Sequence, residues 1–254
     1  MDIASELRSY IGDRDSIAVA YSGGLDSTLL MRLMTDILGE RCIGIFVDSP
    51  LLSQRQRDAA HNIAEDLDLN VVCVEVSADE LRNVLVNDER RCYHCKSLIY
   101  GKVRAVASSF GISICADGEN ADDPEDERPG RVAASELGII SPFRDLGVGR
   151  SCIEDSVKGL GIGEMMIKDT CMATRIHVGI PLTIELLRSV EEYESIVRRI
   201  TGVQQVRVRL FGTRATVLTS PQEIPKLMSH MDELIKELGS KGLTVIMDEK
   251  GYKG

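Results

Sequence analysis

Val19-Ala-Tyr-Ser-Gly-Gly-Leu-Asp-Ser-Thr28 is the stretch whose reading decides the fold. The apolar run from Ile17 to Tyr21 has the length and content of a short buried strand. After Ser22, Gly23 and Gly24 comes a helical apolar stripe of Leu25, Leu29, Leu30, Leu33 and Met34. A Gly-rich turn therefore joins a strand to a helix. Glycine accepts positive φ and lets the backbone approach a ligand closely. The first helical turn offers unpaired N–H groups at the positive end of the helix dipole, which suits a phosphate. No Lys follows the glycines, so this is not the Gly-Lys-Ser/Thr loop of the common nucleotide triphosphatases. A polyphosphate bound here needs other cations, and Asp26 can bring one by holding Mg²⁺. An ordinary Gly-rich turn is the plainer alternative. Ser22, Asp26 and Ser27 weigh against it, because they flank the glycines where a phosphate site needs them.

Outward from this turn, strands alternate with helices. The patterns predict a helix over residues 1–15 ending near Gly12, a strand over 17–21, a helix over 25–38 and a strand over 42–47. Helix 53–67, strand 71–76, helix 96–110, strand 112–116, helix 131–137, strand 139–140 and helix 152–160 follow. Such alternation argues for an α/β fold, a doubly wound parallel sheet with helices on both faces. Ligands of such sheets bind at the carboxyl ends of strands, near the switch in strand order. The Ser-Gly-Gly turn and Asp48 both occupy such ends. Asp48 suits a contact to ribose or adenine, and equally a cap on the turn before Pro50. Asp117-Gly-Glu-Asn-Ala-Asp-Asp123 follows the fourth strand, and residues 124–130 read as a polar loop. Residues 161–182 have no period and read as a functional or mobile loop. From Thr183 the pattern changes to helix 183–200, strands 206–210 and 213–218, helix 222–238 and strand 243–247. This is a small C-terminal α+β domain, with the boundary expected near 180, giving domains 1–180 and 181–254.

An apolar fraction of 43% is ordinary for a globular chain. No apolar run reaches the length of a membrane span, and Met1-Asp-Ile-Ala-Ser-Glu6 is not a basic, apolar leader. A cytoplasmic protein without membrane attachment is expected. The net charge of −10 argues against non-specific nucleic-acid binding, which rests on Lys and Arg contacts to phosphate. Aromatic residues make up 4% with no Trp, which leaves little for stacking bases.

Seven cysteines without a secretory context are thiols, metal ligands or catalysts rather than disulfide staples. Cys42, Cys73 and Cys115 lie on expected strands and read as core residues. Cys152 sits at a helix start and is ambiguous. Cys92 and Cys95 form one Cys-x-x-Cys pair, compatible with a redox pair, half a zinc site or part of an iron–sulfur site. Cys171 lies in the irregular stretch, four residues before Arg175, where a cation can lower a thiol pKa. Three thiolates from two distant segments can hold a [4Fe-4S] cluster with its fourth iron open to an exogenous ligand such as hydrosulfide. The alternative is a surface thiol at Cys171 and an unrelated pair.

The strings Ser22 to Ser27, Arg91-Cys-Tyr-His-Cys-Lys96, Asp117 to Asp123, Arg128-Pro-Gly130, Ser141-Pro142, Cys171-Met-Ala-Thr-Arg175 and Val206-Arg-Val-Arg209 together resemble one family. It is the LarE-type sulfur transferases of the pyrophosphate-loop (PP-loop) ATP pyrophosphatases, which help make the nickel-pincer nucleotide cofactor. The match runs from about residue 15 to 215. The resemblance implies an adenine nucleotide alpha hydrolase-like domain. It also implies ATP-dependent adenylation of a carboxylate on a nicotinate-derived pyridinium mononucleotide, followed by conversion to a thiocarboxylate. One branch gives up the sulfur of a cysteine at the position of Cys171; another carries three cysteines and a [4Fe-4S] cluster. Cys92, Cys95 and Cys171 are all present, so the cluster branch is expected here. By the same resemblance Ser22, Gly23, Gly24 and Ser27 cradle phosphates, Asp26 and Asp122 coordinate Mg²⁺, and Asp117 and Asn120 order their loop or cap a turn. Arg207 and Arg209 alternate with valines and share one sheet face. They lie roughly 6.6 Å apart along the strand, a fork for a substrate phosphate or carboxylate or else a solvated edge. Arg175 is a further phosphate candidate, and Glu194 a weaker one that is ordinarily a solvated helix-face carboxylate. A homo-oligomer fed by sulfide or another sulfur donor is implied. Glu119, Lys168-Asp-Thr170 and the segment after 218 depart from the family pattern, which puts the exact substrate in question. A tRNA thiolase, an ammonia-using NAD or GMP synthetase and a nucleotide-sensing module are the rival readings.

Overall fold

A computed structural model describes residues 2–123, 129–161, 169–248 and 251–252. Residues 124–128 of the polar loop expected over 124–130, including Arg128, and residues 162–168, including Lys168, lie outside the described residues, while Pro129 and Gly130 open a helix. The chain forms two compact units. The first comprises Met1–Ser49, Gln54–Val84 and Arg90–Ile167, and the second Pro50–Ser53, Leu85–Glu89 and Lys168–Gly254.

The first unit opens with α1 (Ile3–Ile11), capped by the Asp2 carboxylate on the Ala4 and Ser5 N–H groups. Then come β1 (Ile17–Tyr21), α2 (Leu25–Leu38), β2 (Cys42–Asp48), α3 (Gln54–Asp66) and β3 (Val71–Glu75). A short α4 (Arg82–Leu85) precedes α5 (Arg91–Ser109), β4 (Cys115–Ala116), α6 (Pro129–Glu136), β5 (Ile139–Ile140), α7 (Pro142–Asp145) and α8 (Arg150–Gly159). The five strands are all parallel, in the order β3-β2-β1-β4-β5. β1 is the pivot: the chain winds one way through β2 and β3, then returns to place β4 on the other side. Ile17, Val19, Leu29, Leu30, Met31 and Met34 are fully buried, so strand and helix close the core on both sides of the Gly-rich turn.

Four expectations change. Helix α5 starts at Arg91 rather than 96, so Cys92 and Cys95 sit in its first turn. Nothing in Cys-Tyr-His-Cys breaks a helix, and the His94 N–H already donates to the Arg90 carbonyl at 3.0 Å. The strand over 112–116 pairs only at Cys115 and Ala116, opposite Ala18 and Val19. Cys73 is exposed rather than in the core, because β3 is the sheet edge and is covered only in part. The expected helix over 222–238 is broken into α10 (Ile224–Met228) and α11 (Met231–Ser240). At the break the Ser229 hydroxyl takes up the Lys226 carbonyl at 2.8 Å, competing with the helix ladder.

In the second unit a 3₁₀ turn spans Met172–Arg175, and α9 (Ile184–Thr201) is capped by the Thr183 hydroxyl. Strands β6 (Val206–Phe211), β7 (Arg214–Thr219) and β8 (Thr244–Met247) form a sheet in that order, β6 antiparallel and β8 parallel to β7. Leu85–Glu89 joins this unit through Asn87, which is fully buried with a φ of 59°. Its amide donates to the carbonyls of His177 at 2.9 Å and Ile180 at 2.6 Å. Among the described residues no helix is long and apolar enough to cross a membrane.

Gly23 shows why the turn requires glycine. Its φ is +70°, and a Cβ there would lie 2.5 Å from the Ala60 Cβ on α3. Gly23→Ala is expected to destabilise the protein by roughly 2–4 kcal/mol, from positive-φ strain plus overpacking. Urea unfolding checks this: an unchanged midpoint would show that α3 yields freely.

Candidate active site

β1 and β4 are neighbours, so the loops that follow them leave the sheet side by side at the switch in strand order. After β1 the turn is closed by hydroxyls: Ser22 Oγ and Ser27 Oγ lie 3.0 Å apart, and Ser27 Oγ donates to the Gly24 carbonyl at 3.1 Å. Ser22 is exposed and Gly24 half-buried, while Ser27 is buried. Gly24 is the N-cap of α2 and has no side-chain cap, so the first amides of the helix are left for a ligand.

After β4 the loop runs from Asp117 to Asp123. Asp117 is 5% exposed and accepts from the Ser141 hydroxyl at 2.8 Å and from the Tyr100 hydroxyl. Burial, reinforced by the Asp117 charge, pushes the Tyr100 hydroxyl pKa far up, so it stays a donor. Asp117 is thus a structural anchor joining α5, β4 and the start of α7. Asn120 is 4% exposed; its amide donates to Asp26 Oδ2 at 3.2 Å while its oxygen accepts from the Asp122 N–H at 2.9 Å. A Cβ on Gly118 would lie 2.7 Å from the Ser27 nitrogen, so this loop rests directly on the first turn of α2.

Asp26 is held by Asn120 and by Arg150, whose Nη1 lies 3.1 and 3.2 Å from its two oxygens. Burial raises its carboxyl pKa, and Arg150 and Asn120 offset this only in part. Asp122 caps α8 by accepting the Arg150 N–H at 2.6 Å. Asp48 sits at the end of β2 and is paired with Arg57 Nε at 2.6 Å. Glu119, the departure from the family pattern, accepts from Arg131 at 2.6 Å and Arg144 at 3.2 Å, which pins the loop. The sequence reading missed Arg150, Arg57, Arg131, Arg144 and Tyr100. No periodicity marks them, because each acts on a residue far away in the chain.

The cysteine-bearing turn of the second unit is built on a buried guanidinium. The Arg175 side chain is fully buried between Asp169 and Glu194, with Nε 2.9 Å from Glu194 and Nη2 2.5 Å from Asp169. Its Nη1 donates to the Thr170 carbonyl at 2.9 Å and the Cys171 carbonyl at 3.3 Å. All three nitrogens therefore have protein partners, which makes Arg175 the frame of this turn. Burial works against its charge, yet Glu194 and Asp169 hold its pKa above the ordinary value. Glu194 is 1% exposed rather than solvated; it also accepts from Arg198 at 3.1 Å and the Val208 N–H at 3.1 Å. A signal was present: Glu194 falls on the helical stripe of Leu187, Val190, Val197 and Thr201, where a lone acid implies a buried partner. On β6, Arg207 is 7% exposed with its guanidinium 3.3 Å from the Tyr252 ring centroid, whereas Arg209 is exposed. Burial lowers the Arg207 pKa.

Cys92 is exposed and Cys95 half-buried; spaced i, i+3, they share one face of α5. Cys171 is half-buried in the second unit. Among the described residues no group of three or more His, Cys, Asp or Glu is gathered as a metal-holding set. Burial pushes the Cys42 thiol up to about 12 and also raises Cys115, which marks both as inert core.

Glu194→Ala leaves the Arg175 charge buried with one carboxylate fewer, and is expected to cost about 3–5 kcal/mol; an unfolding midpoint within error of wild type would refute the buried pair. Asp26 gives a pH prediction. Its folded pKa lies above its unfolded value of 3.8, so its contribution to stability is full below that value and is lost as pH rises through the folded pKa. Asp26→Asn should therefore gain stability over wild type as pH rises from acid to neutral. Parallel stability curves across that range would contradict it.

No protein-family model matches the chain. It is 32% identical over 251 residues to the uncharacterized protein slr1717 of Synechocystis sp., covering 97% of this chain and 93% of that protein. It is 31% identical over 227 residues to the uncharacterized protein MJ0830 of Methanocaldococcus jannaschii, covering 89% and 86%. It is 27% identical over 247 residues to the pyridinium-3,5-bisthiocarboxylic acid mononucleotide synthase of Lactiplantibacillus plantarum, covering 95% and 88%. GMP synthases are among the weaker matches. With its five-stranded parallel sheet and the Ser-Gly-Gly turn at the switch point, the chain belongs to the same family as slr1717 and MJ0830, and its similarity to the pyridinium-3,5-bisthiocarboxylic acid mononucleotide synthase and to GMP synthases makes it a LarE-type, ATP-using enzyme of the pyrophosphate-loop class.

Proposed function

We propose that this chain is a cytoplasmic, AMP-forming sulfur transferase. It adenylates a carboxylate of a pyridinium mononucleotide and converts it to a thiocarboxylate, for nickel-pincer nucleotide biosynthesis. The observation that carries the reading is the lysine-free turn Ser22 to Ser27 locked against Asn120 through Asp26, in a chain similar over 95% of its length to a bisthiocarboxylic acid mononucleotide synthase. In this reading the turn's amides and hydroxyls hold ATP phosphates. Asp26 suits Mg²⁺, which takes one or two carboxylates plus phosphate oxygens rather than an all-protein cage. Asp122, already a helix cap, is the secondary ligand, and Asp48 and Asp117 order the strand ends around the nucleotide.

A substrate carboxylate oxygen attacks the α-phosphorus and the α–β P–O bond breaks, with pyrophosphate leaving on the bond's electron pair. Sulfide then attacks the acyl carbon, the C–O bond to AMP breaks, and the sulfide proton passes to solvent. Arg207 and Arg209 are proposed to hold the substrate's phosphate or carboxylate, while Arg175 and Glu194 fix the turn that presents Cys171. Cys92 and Cys95 supply two thiols from one helix face for a [4Fe-4S] cluster, and Cys171 is the proposed third ligand. When bound, such a cluster supplies an iron position open to an exogenous sulfur ligand. We propose domain limits of 1–180 and 181–254, and a homo-oligomeric assembly.

The test uses protein purified without oxygen and assayed with ATP, a pyridinium dicarboxylate mononucleotide and sulfide. Wild type should hold about four irons per chain and release pyrophosphate in step with thiocarboxylate. Asp26→Ala should release none while keeping its iron, and Cys92→Ala should lose the iron while keeping pyrophosphate release. Iron-free wild type that loses one sulfur from Cys171 on turnover would replace the cluster with a sacrificial cysteine. No pyrophosphate release from wild type would overturn the reading as a whole.

A further inference from the structure

Arg207 is a buried cation without an acid of its own. It is 7% exposed, and among the described residues no carboxylate forms a salt bridge with it. Asp169, whose charge reaches it, is already paired with Arg175. Burying a charge without a counter-ion costs stability, so a guanidinium kept in this state points to an anion that arrives from outside.

What meets Arg207 instead is an aromatic face. Its guanidinium carbon stands 3.3 Å from the Tyr252 ring centroid, whereas the other cation–ring contacts among the described residues are at 5.0 to 5.8 Å. A separation of 3.3 Å is already carbon–carbon contact, so the cation lies flat over the middle of the ring. A flat guanidinium keeps its N–H groups in its own plane, directed past the ring. The ring attracts the charge and leaves the donors for a ligand.

Tyr252 is itself seated on the sheet of the second unit. Its N–H donates to the Thr219 carbonyl at 2.7 Å, next to Leu218, the register partner of Arg207. Just before it, the Asp248 N–H donates to the Val217 carbonyl at 3.1 Å and the Gly251 N–H to the Asp248 carbonyl at 3.2 Å. Gly251 has a φ of +68°, and a Cβ there would lie 3.0 Å from the Thr219 carbonyl oxygen and 3.1 Å from Ile224 Cδ1. Only glycine lets the backbone come this close. The tyrosine belongs to the segment after 218, where the chain departs from the family pattern.

We propose that Tyr252 is a positioning residue for an anion site at Arg207: its ring holds the guanidinium flat and turns the N–H edge toward the phosphate or carboxylate oxygens of an incoming mononucleotide. Two parallel hydrogen bonds to such an oxyanion need the fork held in one plane. A stacked guanidinium has given up its side-chain freedom before the ligand arrives, so less binding energy goes into ordering it. This assignment rests on the reading of Arg207 as a substrate-holding residue.

The experiment is calorimetric titration of a pyridinium dicarboxylate mononucleotide, and of pyridine dicarboxylate without the ribose phosphate, into wild type, Tyr252→Phe, Tyr252→Leu and Arg207→Gln. Tyr252→Leu should weaken the mononucleotide about 10-fold, whereas Tyr252→Phe keeps the ring face and should stay within about twofold of wild type. The loss extends to the dicarboxylate if Arg207 takes a carboxylate, and is confined to the mononucleotide if it takes the phosphate; both support the assignment. Gly251→Val displaces the ring without altering it, should match Tyr252→Leu, and carries the test if Tyr252→Leu does not fold. Binding that is undiminished or tighter in Tyr252→Leu while Arg207→Gln weakens it would make the ring a mere cover and overturn the proposal. So would a loss in Tyr252→Phe as large as in Tyr252→Leu, which would move the effect from the ring to its hydroxyl. Undiminished binding in Arg207→Gln, or no binding by wild type, would overturn the substrate-holding reading of Arg207 itself, a result distinct from a failure of Tyr252 alone.

Discussion

The hydrogen bond from Asn120 to Asp26, 3.2 Å long, is the contact on which the candidate site depends. It ties together two loops 94 residues apart in sequence, one leaving β1 and the other leaving β4. It forms only because the sheet order makes those strands neighbours and because Gly118 lets the second loop settle onto the Ser27 backbone. The other side of the second loop is held by Asp117, through Tyr100 and Ser141. The Gly-rich turn after β1 is therefore not a free loop. It is clamped between α3, which crowds Gly23, and the Asp117 to Asp123 segment.

Electrostatics in both units follow one rule. The chain carries a net charge of −10, yet several of its acids near the strand ends and the cysteine-bearing turn have a guanidinium partner. Asp26 has Arg150, Asp48 has Arg57, Glu119 has Arg131 and Arg144, and Glu194 has Arg175 and Arg198. The pairs differ in what they do. Arg175 and Glu194 are buried and saturated, so they set geometry, since a buried pair pays its desolvation only when every polar atom is satisfied. Asp26 and Arg150 are partly exposed, so their pair is the weaker tether.

The thiols divide by environment as well. Cys42 and Cys115 are buried on strands, and burial holds them protonated. Cys92 and Cys95 stand on the first turn of α5, reachable from solvent, and Cys171 starts a 3₁₀ turn whose carbonyls are gripped by Arg175. Solvent access and a rigid frame are what a sulfur-handling thiol needs, and the strand cysteines have neither.

Local pattern was enough to read the parallel α/β sheet, the Gly-rich turn after β1 and the smaller α+β part. Strand and helix periodicity, like the glycine requirement of the turn, are properties of neighbouring residues. The same pattern misplaced Cys73, because alternation cannot tell an edge strand from a central one. It left Cys92 and Cys95 outside a helix they open, and it took Glu194 for a solvated acid although it lies on an apolar stripe. Arg150 on Asp26, Arg57 on Asp48 and the pair of arginines on Glu119 were decided by tertiary structure alone. Each joins side chains whose separation in sequence carries no local signal, so only the folded backbone, by setting which loops leave the sheet together, brings them within hydrogen-bond reach.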